Sequence, residues 1–241
     1  MKTCPILAVC SGKGGVGKST VAFSLAKSLT QAGYAIGLID ADIYGPSLHL
    51  LFKEMGQLKP ENKGSEMVPP CIESIYFMSA AFFAPGGAFI RAPKALGLAK
   101  SFFHQTLWPT LDLIIVDFPP GTGDLPLTLF QEITFEGAVL VTTPHTLSVE
   151  DSAKSGVQIL QSGIPILGIV ETMSYLSTSD GLSYPMGQGG GRELEEMFKC
   201  PLLAQLPLYD QSKECVITRV AQSLILDPFK QIIDKSRVCS K

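Results

Sequence analysis

Residues 10–20 read CSGKGGVGKST, and within them Gly12, Gly17, Lys18 and Ser19 fit the spacing G-x-x-x-x-G-K-[ST]. Glycines in such a run let successive backbone N–H groups turn inward around phosphate oxygens, and a helix start adds partial positive charge. Lys18 then meets the β and γ oxygens of a nucleotide, and the Ser19 hydroxyl is a ligand for Mg²⁺. Gly14, Gly15, Val16 and Thr20 complete the loop and first helical turn, so the nucleotide-binding set runs from Gly12 to Thr20. Lys13 is the odd member. A loop that wraps phosphate with residues 14–18 leaves position 13 on its outer rim, where a long cation folds back poorly onto the same phosphate. It is better placed to act in trans, on charge developing during hydrolysis in a neighbouring molecule.

Phosphate chemistry with a divalent cation also needs carboxylates. In LDLIIVDFPPGTGD an apolar run leads to Asp117, an acid at a strand tip. The turn from Pro119 to Asp124 follows, rigid and then glycine-rich, and is suited to sensing a γ-phosphate. In LIDADIYGPS, residues 38–47, Asp40 and Asp42 flank Ala41. If the chain is still extended there, alternate side chains point the same way and both carboxylates face the phosphates. One would orient metal-bound water and the other the attacking water. Ser19 and Asp117 are thus candidates for the metal, Lys13 and Lys18 for catalysis, and Asp40 and Asp42 share the two remaining acid roles.

These loops need a scaffold that delivers them to one edge. Short apolar runs at 6–10, 35–39, 75–79, 113–116, 138–142, 166–170 and 202–206 read as buried strands, each followed by a glycine or acidic turn and then by a helical pattern. That alternation predicts an α/β fold of three layers, a mostly parallel sheet with helices on both faces. The first helix is expected over 18–31, with Gly33 as its left-handed stop. Asp227 and Pro228 read as an N-cap and N1 pair opening a last helix through Phe229, Ile232 and Ile233. Residues 53–70 and 174–191 read as loops, the second leading through three glycines into a helix. No repeat or internal boundary shows, so residues 1–241 are read as one P-loop ATPase domain.

Apolar residues are 46% of the 241 and charged ones 17%, which excludes a disordered chain. The net charge of −3 gives no general affinity for nucleic acid. The stretch 76–90 is interrupted by Pro85, Gly86 and Gly87 and is too short for a membrane span. With no export signal read in residues 1–10, a cytoplasmic protein is expected. The six cysteines, Cys4, Cys10, Cys71, Cys200, Cys215 and Cys239, form no C-x-x-C pair and read as free, packed thiols.

SGKGGVGKST, with Lys13 after the first glycine, resembles the deviant Walker A loop of the MinD/ParA class of dimeric P-loop NTPases. DADIYGPS, VDFPPGTGD and GAVLVTTP resemble the Mrp/NBP35/ApbC family within it, ATP-dependent iron-sulfur cluster carriers, over residues 6–208. The resemblance implies a magnesium-dependent ATPase acting as a homodimer, with Lys13 reaching the partner's nucleotide. It implies that Asp42 activates water, that Asp40 is a switch residue near magnesium, and that Asp117 is an outer-sphere metal acid. Thr172, where the family has an adenine-contacting asparagine, and Pro207 join the nucleotide-binding set. The partners implied are an iron-sulfur scaffold or an apo-protein client, with no nucleic acid.

The family's cluster carriers hold a bridging [4Fe-4S] group through a C-x-x-C just after this segment. The matching stretch here, ETMSYLSTSDGLSYPMGQGGG, has no cysteine, and only Cys200 and Cys215 stand near it in sequence. Arg91 is kept from a family Trp-Arg-Gly-Pro motif. A second reading, a MinD/ParA-like positioning ATPase at a membrane or on DNA, rests on the tail LDPFKQIIDKSRVCSK, which pairs an apolar stripe with Lys230, Lys235, Arg237 and Lys241.

Overall fold

Among the described residues eight strands hydrogen-bond into one sheet, and all but one of the pairings are parallel. The computed structural model describes residues 4–53, 58–83, 92–208 and Ile233. In chain order the elements are β1 (Ile6–Ser11), α1 (Lys18–Gln31), β2 (Ile36–Asp40), β3 (Glu61–Lys63), β4 (Glu66–Val68), β5 (Cys71–Ile72) and β6 (Ile75–Ser79). They continue as α2 (Ala92–His104), β7 (Leu113–Asp117), α3 (Asp124–Glu132), β8 (Gly137–Thr142), α4 (Thr146–Gln161) and β9 (Ile166–Glu171). Last come β10 (Leu176–Thr178), β11 (Gly181–Ser183), α5 (Gly190–Phe198) and β12 (Leu202–Gln205).

The sheet order is β12-β9-β8-β1-β7-β2-β6-β5, so β1 is central and the chain travels outward from it in both directions. The carboxyl ends of parallel strands beside such a reversal are where this architecture leaves a crevice for ligands.

Alternation along each strand explains the three layers. Leu7 and Val9 pack with α1 on one face, whereas Ala8 and Cys10 face the other, against Leu129 and Phe130 of α3 and Val149 and Ile159 of α4. Leu113 and Ile115 of β7 follow the first set, and Ile114 and Val116 the second. Both faces are covered, so the strands are apolar throughout, as the sequence pattern required.

The seven expected strands are all present, and α1 has the expected bounds. Its end is a Schellman turn. Gly33, at φ +91°, donates to the Thr30 carbonyl, and Tyr34 donates to that of Leu29. The triple glycine does lead into a helix, Gly189 sitting at the N-cap of α5.

Two expected loops hold structure. Within 53–70, β3 and β4 form a hairpin around Gly64 and Ser65, a glycine-serine pair whose turn chemistry outweighs the polarity of its strands. Within 174–191, β10 pairs β11 across Ser179 and Asp180. Both strands there are largely exposed and polar, so they carry no alternation to read. Arg91, Cys215, Cys239 and the tail residues other than Ile233 lie outside the described residues; Ile233 is helical and buried in the α1-side core.

Candidate nucleotide and metal site

The loop from Gly12 to Gly17 leaves the end of β1 and enters α1 at Lys18, as the strand-loop-helix arrangement of a phosphate cradle requires. Gly15 and Gly17 have φ of +82° and +84°, the left-handed region where a side chain is strained. Gly14 and Gly15 are exposed on the rim while Val16 is buried beneath. Gly12 is fixed by a different constraint. A Cβ there would lie 2.1 Å from the Asp151 carbonyl carbon and 2.3 Å from the Ser152 nitrogen, both backbone of α4. Gly12→Ala is expected to push the loop off α4 at a cost of about 3 kcal/mol. Thermal unfolding should show a midpoint lower by roughly 6–12 °C.

Strand register aligns the acids. Asp40 and Asp117 are partners at the ends of β2 and β7, Ser79 of β6 lies beside Asp40, and Val9 of β1 lies beside Asp117. Both carboxylates are fully buried. Lys18 Nζ, itself buried, donates to Asp117 Oδ1 at 2.5 Å. Asp117 Oδ2 is buried without a hydrogen-bond partner. Burial raises the Asp117 pKa, and Lys18 is the main pull in the other direction.

Asp40 is held differently. Its Oδ2 accepts from Ser47 N at 3.1 Å, Leu48 N at 3.2 Å and the Ser79 hydroxyl at 3.1 Å, and its Oδ1 accepts from Asp42 N at 3.3 Å. Burial and neighbouring Asp117 push its carboxyl up to about 7, against the pull of the Leu48 N–H. Asp40 therefore ties the 42–48 segment to the sheet edge. Asp42 is half-buried, and its Oδ1 accepts from Gly45 N at 3.1 Å, closing a tight turn. Its charge still reaches both neighbours, raising the pKa of each, so the three acids share one field.

Ser19 and Thr20 lie half-buried on the first turn of α1, and the Ser19 hydroxyl accepts from Ser47 Oγ at 3.2 Å. Hydroxyl and carboxylate oxygens, one of them a buried orphan, are the hard donors that suit Mg²⁺. Ser19 would ligate it directly, and Asp117 and Asp40 would hold its water shell. Lys13 is half-buried, and none of the described carboxylates pairs with its ammonium.

Thr172 follows β9. It is buried, and its hydroxyl lies 2.5 Å from the Val16 carbonyl and 3.1 Å from that of Thr142. Its one proton is thus used within the protein, which ties the end of β9 to the phosphate loop. Pro207 is half-buried on the segment after β12, which runs beside residues 171–175 through the Leu206–Glu171 and Leu208–Tyr175 hydrogen bonds. Ser47 and Ser79 were not singled out from the sequence. Their signal was their position, inside the YGPS motif and at the tip of β6.

A family model described as ParA, NUBPL iron-transfer P-loop NTPase, matches residues 2–234. The chain belongs to that family. Among relatives, the iron-sulfur cluster carrier protein of Deinococcus radiodurans is 41% identical over 208 residues, covering 84% of this chain and 59% of that protein. The protein of the same name in Escherichia coli K12 is 37% identical over 241 residues, covering 95% and 65%. The chain thus spans less than two thirds of the length of these carriers. A nucleotide-binding protein in complex with ADP from Archaeoglobus fulgidus is 32% identical, with a TM-score of 0.73 over 90% of this chain and 85% of its own. MinD of Pyrococcus horikoshii, in complex with Mg-ADP, has a TM-score of 0.58 at 20% identity, which shows the shared fold.

The described cysteines of this NUBPL-type NTPase do not fit a cluster site. Cys10 and Cys200 are buried, Cys4 is half-buried and Cys71 alone is exposed. Burial raises the thiols of Cys4, to about 12, of Cys10 and of Cys200, against the thiolate form a cluster needs. Among the described residues no group of three or more His, Cys, Asp or Glu side chains is arranged to hold a metal ion, and the 174–191 segment offers serine, threonine and aspartate instead. No helix among the described residues is long and apolar enough to cross a membrane.

Proposed function

We propose that residues 1–241 form a single P-loop ATPase domain that binds Mg-ATP, hydrolyses it slowly between two copies of the chain, and serves iron-sulfur cluster carriage. The observation that carries this reading is the row at the strand tips. Lys18, Asp117 and Asp40 are buried together beside a glycine loop that enters the first helix at Lys18.

The chemistry follows from an exchange of partners. Phosphate oxygens compete with Asp117 for the Lys18 ammonium, and the winning contact places Lys18 on the β and γ oxygens. Asp117, freed of Lys18, would have two oxygens with which to hold the water shell of a magnesium ion. Magnesium, when bound, neutralises charge developing on the phosphates. Asp42, on its own turn at the site's edge, accepts a proton from the attacking water. Lys13 supplies its charge to the second copy's nucleotide.

Cluster carriage is supported by the names of the relatives and by the family. The cluster is here a cargo, and none of the described cysteines is assigned as its ligand. The purified protein should hydrolyse ATP only with Mg²⁺ and should dimerise with ATP rather than ADP, measured by phosphate release and light scattering. Iron and acid-labile sulfide would be assayed in anaerobically purified protein. A chain that binds no nucleotide in equilibrium dialysis overturns the ATPase reading; one that neither holds iron nor speeds cluster transfer to an apo-protein overturns the cargo.

A further inference from the structure

Ser47 occupies the N-cap of the 3₁₀ turn Leu48–Leu51, where a serine hydroxyl ordinarily accepts from a backbone N–H of the first turn. It makes no such bond here. The Asp40 carboxylate has taken over that end of the turn, accepting from the Ser47 and Leu48 nitrogens. The Ser47 hydroxyl is thereby released to point at Ser19, 3.2 Å away. Its position is not accidental to a mobile loop. Ser47 is held through its own nitrogen by Asp40, and Leu48 next to it is fully buried in the α1-side core.

We infer that Ser47 is a positioning residue for the cation site, one that orients the Ser19 hydroxyl and couples cation binding to the 42–48 segment. This rests on reading the loop as a Mg-nucleotide site. Either hydroxyl can donate across the Ser47–Ser19 contact, which is longer than the usual O–H···O range of about 2.5–3.0 Å and so exchanges readily. The Asp117 carboxylate is an acceptor for the Ser19 proton, which leaves Ser47 as the donor across this contact.

The Ser19 oxygen has two lone pairs, and the Ser47 contact occupies one of them. A cation would take the other, so Ser47 would aim that ligand and feel its occupancy. Because the Ser47 backbone and the Asp42 nitrogen hang on the same Asp40 carboxylate, the segment carrying Asp42 registers the change.

The test is a titration of Mg²⁺ against binding of a fluorescent ATP analogue, with a parallel measurement in EDTA. Ser47→Ala should raise the Mg²⁺ concentration for half-maximal binding about tenfold, the range for loss of a group that orients a metal ligand. Affinity in EDTA should stay within about twofold, since the lost hydroxyl contacts Ser19, whose hydroxyl is assigned to the cation, and leaves Lys18 and the loop N–H groups untouched. Ser47→Thr, which keeps the hydroxyl, should restore the wild-type requirement. Ser47→Gly, an accepted N-cap residue, gives the same reading if alanine impairs folding as judged by melting temperature.

A folded variant with an unchanged Mg²⁺ requirement, or an equal loss with and without the cation, overturns the assignment. So does a threonine variant as impaired as alanine. Those results are distinct from failure of the nucleotide reading, in which the wild-type protein itself binds no analogue at any Mg²⁺ concentration.

Discussion

Lys18→Ala is expected to weaken Mg-nucleotide binding by a hundredfold or more, roughly the loss of 3 kcal/mol that charge-assisted hydrogen bonds to phosphate supply. The same substitution strikes the folded protein. Lys18 and Asp117 are a buried pair at 2.5 Å, and removing the cation leaves Asp117 with an orphan charge in the sheet. Breaking one partner of such a pair costs about 3–5 kcal/mol at neutral pH.

The cost has a pH signature. Burial already raises the folded pKa of Asp117 and Lys18 restrains it, so the variant's folded pKa is higher still. A carboxyl with a raised folded pKa binds its proton more tightly folded than unfolded. Its stability contribution is therefore greatest at low pH and is lost as pH climbs through the raised value. The deficit of Lys18→Ala against wild type should grow from pH 5 to pH 8 in thermal unfolding. Adding Asp117→Asn removes the charge and should recover much of the stability while leaving nucleotide binding lost. A double variant that recovers binding would show that phosphate is held without Lys18, against the proposed site.

The parts of the fold that were legible in the sequence are those where the local signal and the global requirement coincide. The strands of the main sheet are buried on both faces, so unbroken apolar runs identify them, and the phosphate loop is fixed by residues within nine positions of one another. The hairpins β3–β4 and β10–β11 were not legible because their strands are mostly exposed and their turns short.

At the site, Asp40 shows the limit best. Its spacing from Asp42 suggested two acids facing one substrate, yet its carboxylate is occupied by Ser47, Leu48, Ser79 and Asp42 donors. Three of those lie within eight residues and Ser79 comes from another strand, but which N–H groups converge is set by how the loop folds back. Thr172 is similar. Its contact with Val16 spans 156 positions and depends on β9 ending level with the phosphate loop.

Lys13→Ala should separate binding from turnover. Lys13 is rooted on the rim, its carbonyl fixed by the Ser11 hydroxyl at 3.0 Å, while none of the described carboxylates pairs with its ammonium. A half-buried lysine that no described carboxylate pairs, beside a loop that already has Lys18 for its own phosphates, has charge to offer a second molecule. If that charge acts on the partner's transition state, its loss lowers kcat about 100-fold to 1000-fold, as for other preorganised stabilisers of developing charge. Nucleotide affinity of the separate subunit should change little, because Lys18 and the loop N–H groups remain.

Protein concentration provides the decisive readout. Wild-type turnover per subunit should rise as dimers form, whereas the variant's should stay low and flat. Mixing Lys13→Ala with Lys18→Ala then tests direction. The first supplies an intact pocket without the trans cation, and the second supplies the trans cation without a usable pocket. A lysine acting across the interface makes the mixed dimer active at one site, so the mixture should exceed either variant alone. A lysine acting on its own phosphate predicts no gain, because neither chain then holds a complete site; that outcome would remove the shared active site from the proposal.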